Sequence, residues 1–251
     1  MRAAVPSPLR RRGVVGFVFA ALAIGAVVAS LAIIWLLRFS TLPRAMYVSE
    51  FGAEGEPTAR WFEVALLLLV AGAAVIAWLG RSIRPQIPVL RAWTPTVSLL
   101  VACGFFLVAS QVTCTAGCPL PVGSTFTWQD FIHTLCAVLA FAAACWGMLQ
   151  LSFVREHRVI ARLSLLSAVS VAVVAGVGGL LSLARFGTDV GSWLELIATT
   201  AAIAWLAALG GVFAARAVTS RDSLAVDARQ RLTDTVPRGA LAAQELEELV
   251  G

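Results

Sequence analysis

Residues able to do chemistry are few in this chain. Asp130 and His133 stand three apart, a spacing that puts both on one face of a helix. A histidine beside a carboxylate is the arrangement from which general bases and metal sites are built. Ala137, Ala140 and Ala144 continue that face, and small residues let helices approach closely. Glu63 and Glu195 open two other apolar stretches at similar depth. Ser49 and Glu50 lie in the segment Tyr47–Gly52, and Arg60 and Arg185 offer counter-charges. Ionisable groups at this depth are costly unless paired or hydrated, and three readings stand. The first is a hydrated structural network at the headgroup level. The second is a pocket for a lipid headgroup or small polar ligand, lined by Glu63, Glu195, Arg60 and Arg185. The third is a catalytic site with His133 as base or metal ligand and Asp130, Ser49 or Glu50 beside it. Zinc usually takes two or three nitrogen or sulfur donors from the protein, so His133 with Asp130 makes a poor metal site, and no cofactor is expected. His157 lies on the opposite membrane side.

Cys114 and Cys118 lie in the uncharged stretch Thr113–Thr127, with Gly117, Pro119, Pro121 and Gly123. On an oxidising face a disulfide between them is the natural expectation; a metal would need two further ligands nearby. Cys103, Cys136 and Cys145 fall inside apolar runs, where reduced cysteine is an ordinary small apolar residue.

The elements that must position these groups are membrane helices. Apolar residues make up 59% and charged residues 13% of the 251, against about 25% charged in a soluble domain. Six continuous apolar stretches, 13–37, 61–80, 93–112, 129–154, 159–184 and 193–215, approach or exceed the roughly 20 helical residues that cross a bilayer core. None holds a charge in its central turns. The expected fold is therefore an all-α, six-helix transmembrane bundle. The first stretch follows Arg10, Arg11 and Arg12 but is about twice a signal peptide's ~7–15-residue apolar region, so it reads as a retained anchor.

Orientation follows from arginine, the only basic residue besides the two histidines. With the N-terminus inside, fifteen of the nineteen arginines fall on the inner side, the bias expected of cytoplasmic loops. The outer face then carries net −3 and the inner face +8. Trp35, Trp61, Trp128 and Trp193 mark outer ends, Trp78, Trp93 and Trp146 inner ones, as in aromatic belts. Both termini are expected in the cytoplasm, residues 1–12 as a basic N-terminus and 216–251 as a flexible tail with a short helix near 240–249. The arginines form no separate basic domain, which argues against nucleic acid as a partner.

Tyr47-Val48-Ser49-Glu50-Phe51-Gly52-Ala53, followed by Glu56-Pro57 and an apolar helix, resembles the signature after the first helix of the domain-of-unknown-function 998 (DUF998) membrane proteins. Cys114-Thr115-Ala116-Gly117-Cys118-Pro119-Leu120-Pro121, then Asp130-Phe131-Ile132-His133, is similar to a second element of that family. The resemblance covers about residues 14–215. It implies a six-helix membrane fold, no established activity, and attention to Ser49, Glu50, Asp130 and His133. The layout also resembles, more faintly, the Frag1/DRAM/Sfk1 group of six-helix proteins, linked to lipid remodelling.

These features lead to a multi-pass plasma-membrane protein with an outward-facing, carboxylate-rich, shallow pocket. It is expected to bind or organise lipid or a membrane partner rather than to catalyse a reaction. A membrane-embedded hydrolase or lipid-modifying enzyme built on His133 is the alternative. A small-molecule transporter, with Ser110, Gln111, Thr199 and Thr200 as its polar hints, is the third.

Overall fold

A computed structural model of the chain describes residues 8–91, 93–154, 157–184 and 186–234. Arg185, residues 1–7 and residues 235–251, including the helix expected near 240–249, lie outside the described residues. Within them every regular element is helical. α1 (Pro8–Ser40), α2 (Ala59–Leu79), α4 (Pro95–Gln111), α5 (Trp128–Ser152), α6 (Arg158–Leu183) and α7 (Thr188–Asp234) are long, and α3 (Pro88–Arg91) is a single turn. A 3₁₀ turn, Ser49–Gly52, interrupts the α1–α2 loop.

Five of these helices are long and apolar enough to cross a membrane. α4 is apolar but shorter, 17 residues, or about 25 Å of helix. The expected stretches coincide with the helices to within a few residues, except at the start of α1 and at both ends of α7, which begins at Thr188. α1 begins earlier, at Pro8. α7 does not stop at Ala215 but continues to Asp234, into the segment expected to be a flexible tail. Residues 220–234 include Leu, Ala, Arg and Gln and no Gly or Pro, so strong helix formers carry the helix onward past the apolar stretch.

Helix ends follow local chemistry. Thr94 caps α4 by accepting from Val97 N at 3.3 Å, with Pro95 in the first turn. Thr127 caps α5 by accepting from Asp130 N at 3.0 Å. Both are threonine N-caps that satisfy an otherwise orphaned N–H.

The six long helices form a ring, in which neighbours pack in the order α1, α2, α4, α5, α6, α7 and back to α1. Hydrogen bonds stitch the seams: Trp35 Nε1 to Thr200 Oγ1 at 3.1 Å joins α1 to α7, and Trp205 Nε1 to Ser164 Oγ at 3.1 Å joins α7 to α6. The α1–α2 seam is tight at Gly72. A Cβ there would stand 2.7 Å from both the Ala23 carbonyl oxygen and Val27 Cγ2. Val27, Ile34, Ile76, Met148, Ile160 and Leu209 are fully buried inside, while Leu22, Leu36, Val159, Leu166 and Leu180 point outward, each more than 60% exposed. An apolar exterior of this kind needs lipid around it. Trp61, Trp78 and Trp128 are also exposed, whereas Trp205, in the middle of its span, is buried.

At the α3 end a polar knot closes the α4–α5 seam. Gln150, fully buried, accepts from Ser98 Oγ at 2.6 Å and donates through Nε2 to the carbonyls of Leu90 and Trp93.

Candidate functional site

The opposite end of the ring is closed by two loops folded as a cap. Tyr47–Gly52 runs across the opening. Phe51 is fully buried and meets Phe62 of α2 edge-on, with centroids 6.2 Å apart. Thr58 Oγ1 donates to the Phe51 carbonyl at 2.8 Å. Tyr47 lies against Gly191 of α7, where an added Cβ would fall 2.5 Å from the phenol oxygen. Arg38, only 2% exposed, anchors the start of the segment. Its Nη1 donates to the Met46 carbonyl at 3.1 Å, and its guanidinium lies 4.4 Å from the Trp193 ring centroid, a favourable cation–π placement.

The second loop is zipped to the first. Glu54 N donates to the Cys114 carbonyl at 2.9 Å, and Gln129 Nε2 bridges Glu54 Oε1 at 2.7 Å and the Thr113 carbonyl at 2.8 Å. Cys114 and Cys118 form the expected disulfide, with Cα atoms 5.1 Å apart. Cys118 takes a left-handed conformation, φ 45°, directly after Gly117 at φ 78°.

Asp130 is fully buried, and its carboxylate accepts from Thr115 N at 2.8 Å, Thr115 Oγ1 at 2.9 Å and Thr127 Oγ1 at 2.6 Å. It clamps the disulfide loop onto the start of α5. His133 shares that face, as the spacing implies, but its Nδ1 faces the carbonyls of Val112 at 2.7 Å and Ala109 at 3.1 Å, at the end of α4. Both partners are acceptors, so Nδ1 donates to them. The histidine is thus oriented by backbone and not by Asp130.

Beneath the cap, inside the ring, lies a cavity of about 100 Å³ bounded by α2, α4, α5 and α7. Its wall is apolar along its length, with Leu66, Phe106, Ala137, Phe141, Ala202 and Leu206 typical of it. Ser49, His133, Glu195 and Thr199 are the polar exceptions. Glu195 Oε2 accepts from Val48 N at 2.8 Å, which ties the cap to α7.

The remaining expected residues separate. Glu63 does not line the cavity; its Oε1 accepts from Gln111 Nε2 at 3.3 Å. Arg60 is exposed and makes no ion pair among the described residues. Glu50 is half-buried within electrostatic reach of Glu195. Burial pushes its carboxyl up to about 7, with Glu56 adding to the shift and the Tyr47 backbone and Arg44 opposing it. Arg44 instead grips Glu56 in a two-pronged pair, at 3.2 and 2.9 Å, holding that carboxyl below its ordinary range. The cavity beneath the cap has one carboxylate, Glu195, in its wall. Arg38 is a cap-organising residue and Gln150 a seam-closing residue at the other end of the ring, and the expectations from sequence included neither. The available signal was a polar side chain inside an apolar run or at its edge.

The family model described as "Protein of unknown function (DUF998)" matches residues 20–212. No curated protein and no solved structure matches the chain.

Proposed function

Since the chain belongs to the DUF998 family, whose description carries no activity, we propose from the site itself that it is a lipid-binding protein of the plasma membrane. In this reading all six long helices cross the bilayer, both termini face the cytoplasm and the capped end faces out. The arginine bias and the tryptophan belts support that orientation, and α4 reaches across most of a ~30 Å hydrocarbon core.

The observation that carries the proposal is the cavity inside the ring, apolar throughout except beneath the cap. Such a chamber suits a short stretch of hydrocarbon whose polar end is met by the few polar groups at one end. Those groups define the head chemistry. Glu195 already accepts from Val48 N, while Ser49 and Thr199 can donate or accept. A small neutral head that both donates and accepts, such as the hydroxyl of a neutral lipid, satisfies them.

The test is photolabelling of the purified protein in mild detergent with a diacylglycerol carrying a diazirine on its acyl chain. Label is expected on cavity-lining segments of α4 and α5. Ala137→Phe and Ala202→Phe, which put a ring into the chamber, are each expected to reduce it by roughly tenfold, the equivalent of about 1.4 kcal/mol. Label spread over the lipid-facing surface, and unchanged in both variants, would overturn the proposal.

A further inference from the structure

The cap brings a third donor to the two cysteines. Sulfur atoms of Cys114 and Cys118 and a ring nitrogen of His133 all lie within 4.8 Å of one another. Cys114 and His133 are buried and Cys118 is half-buried. The cysteines sit in the loop after α4 and the histidine one turn into α5, so only the fold assembles the set.

We propose that when the Cys114–Cys118 bond is reduced, the two thiols and His133 form a binding site for a borderline-soft divalent cation such as Zn²⁺. Two cysteines and a histidine are a recognised zinc set that leaves a fourth position for water. His133 is already prepared for this work. A metal-binding histidine almost always gives its other N–H to a backbone carbonyl or carboxylate, which fixes ring and tautomer. Here the Val112 and Ala109 carbonyls hold Nδ1, which leaves Nε2 as the nitrogen that would ligate. Asp130, whose oxygens are taken by Thr115 and Thr127, adds a negative charge nearby without needing to ligate.

The chemistry balances in two steps. An external dithiol gives two electrons and two protons to the S–S bond, which opens to two thiols while the reductant closes to its own disulfide. The cation then displaces both thiol protons, forming two metal–sulfur bonds and one metal–nitrogen bond, with water in the fourth place. Tetrahedral zinc at about 2.3 Å from each sulfur requires the sulfurs to part. Disulfide and metal are therefore mutually exclusive, and the capped end carries one or the other.

The experiment uses the full chain in mild detergent, reduced anaerobically with a phosphine, freed of reductant and titrated with Co²⁺. Thiol counting verifies reduction. The reduced protein is expected to take up one Co²⁺ with thiolate-to-cobalt charge-transfer absorption, displaced by Zn²⁺, and the oxidised protein none. His133→Asn keeps an N–H for the α4 carbonyls but lacks the ring nitrogen; it is expected to bind roughly tenfold more weakly or worse. Cys114→Ser/Cys118→Ser, which retains the other three cysteines, is expected to show no such band. Absence of the band in fully reduced wild type, equal affinity in His133→Asn, or a band persisting in the double variant would each overturn the proposal.

Discussion

Glu50 shows how one side chain can set the response of the cap to pH. Its folded value of about 7 lies above the 4.5 of an unperturbed carboxyl, so the folded state binds its proton more tightly than the unfolded chain does. The sign follows: its contribution is intact below about pH 4.5 and is lost as pH rises towards 7. Melting temperatures in detergent are expected to fall across that window, and Glu50→Gln, neutral at every pH, is expected to flatten the decline. An unchanged slope in the variant would show that burial of Glu50 does not control it. Glu56, held low by Arg44, acts with the opposite sign and only as pH falls below the ordinary carboxyl range, so the two effects separate. Asp130 makes a different residue-scale case. Hydrogen bonds to a charged group are worth about 1.5–3 kcal/mol, and Asp130→Asn leaves one oxygen to serve three donors. A loss of about 1–3 kcal/mol is expected in thermal unfolding, and a melting temperature matching wild type would refute the clamp. That Asp130 and His133 share a face was legible from their spacing. Their partners were not, because Thr115 and the α4 carbonyls reach them across a loop whose path no local pattern specifies.

At the scale of elements, the helices were the most legible part, since a continuous apolar run has only one way to satisfy its backbone in lipid. The helix ends departed from expectation where lipid stops dictating structure. The segment after Ala215 has few large apolar residues, yet up to Asp234 it holds Leu, Ala, Arg and Gln and no Gly or Pro, and α7 runs through it. Close contacts between helices were the least legible. Gly72 and Gly104 look alike in sequence, but a Cβ at Gly72 meets backbone of α1 and one at Gly104 meets nothing within 4 Å. Gly72→Ala is therefore expected to cost about 1–3 kcal/mol by overpacking, while Gly104→Ala is neutral or slightly stabilising. Equal melting temperatures for the two variants would show that the α1–α2 seam has slack.

For the whole molecule, membrane residence was written in composition, whereas the ring was not. Nothing local in the sequence says that α1 must neighbour α7; the hydrogen bond from Trp35 to Thr200 spans 165 positions. The order of synthesis gives that closure a biological edge. On the proposed six-span reading, the five long helices before Thr188 make an open crescent, and the edge of α1 that carries Trp35 lacks its α7 neighbour. A chain at this stage leaves the Trp35 indole without Thr200 to accept from it and has no enclosed chamber. α7 completes the wall, so on the proposed reading a ligand is captured only after that last long helix has joined the ring.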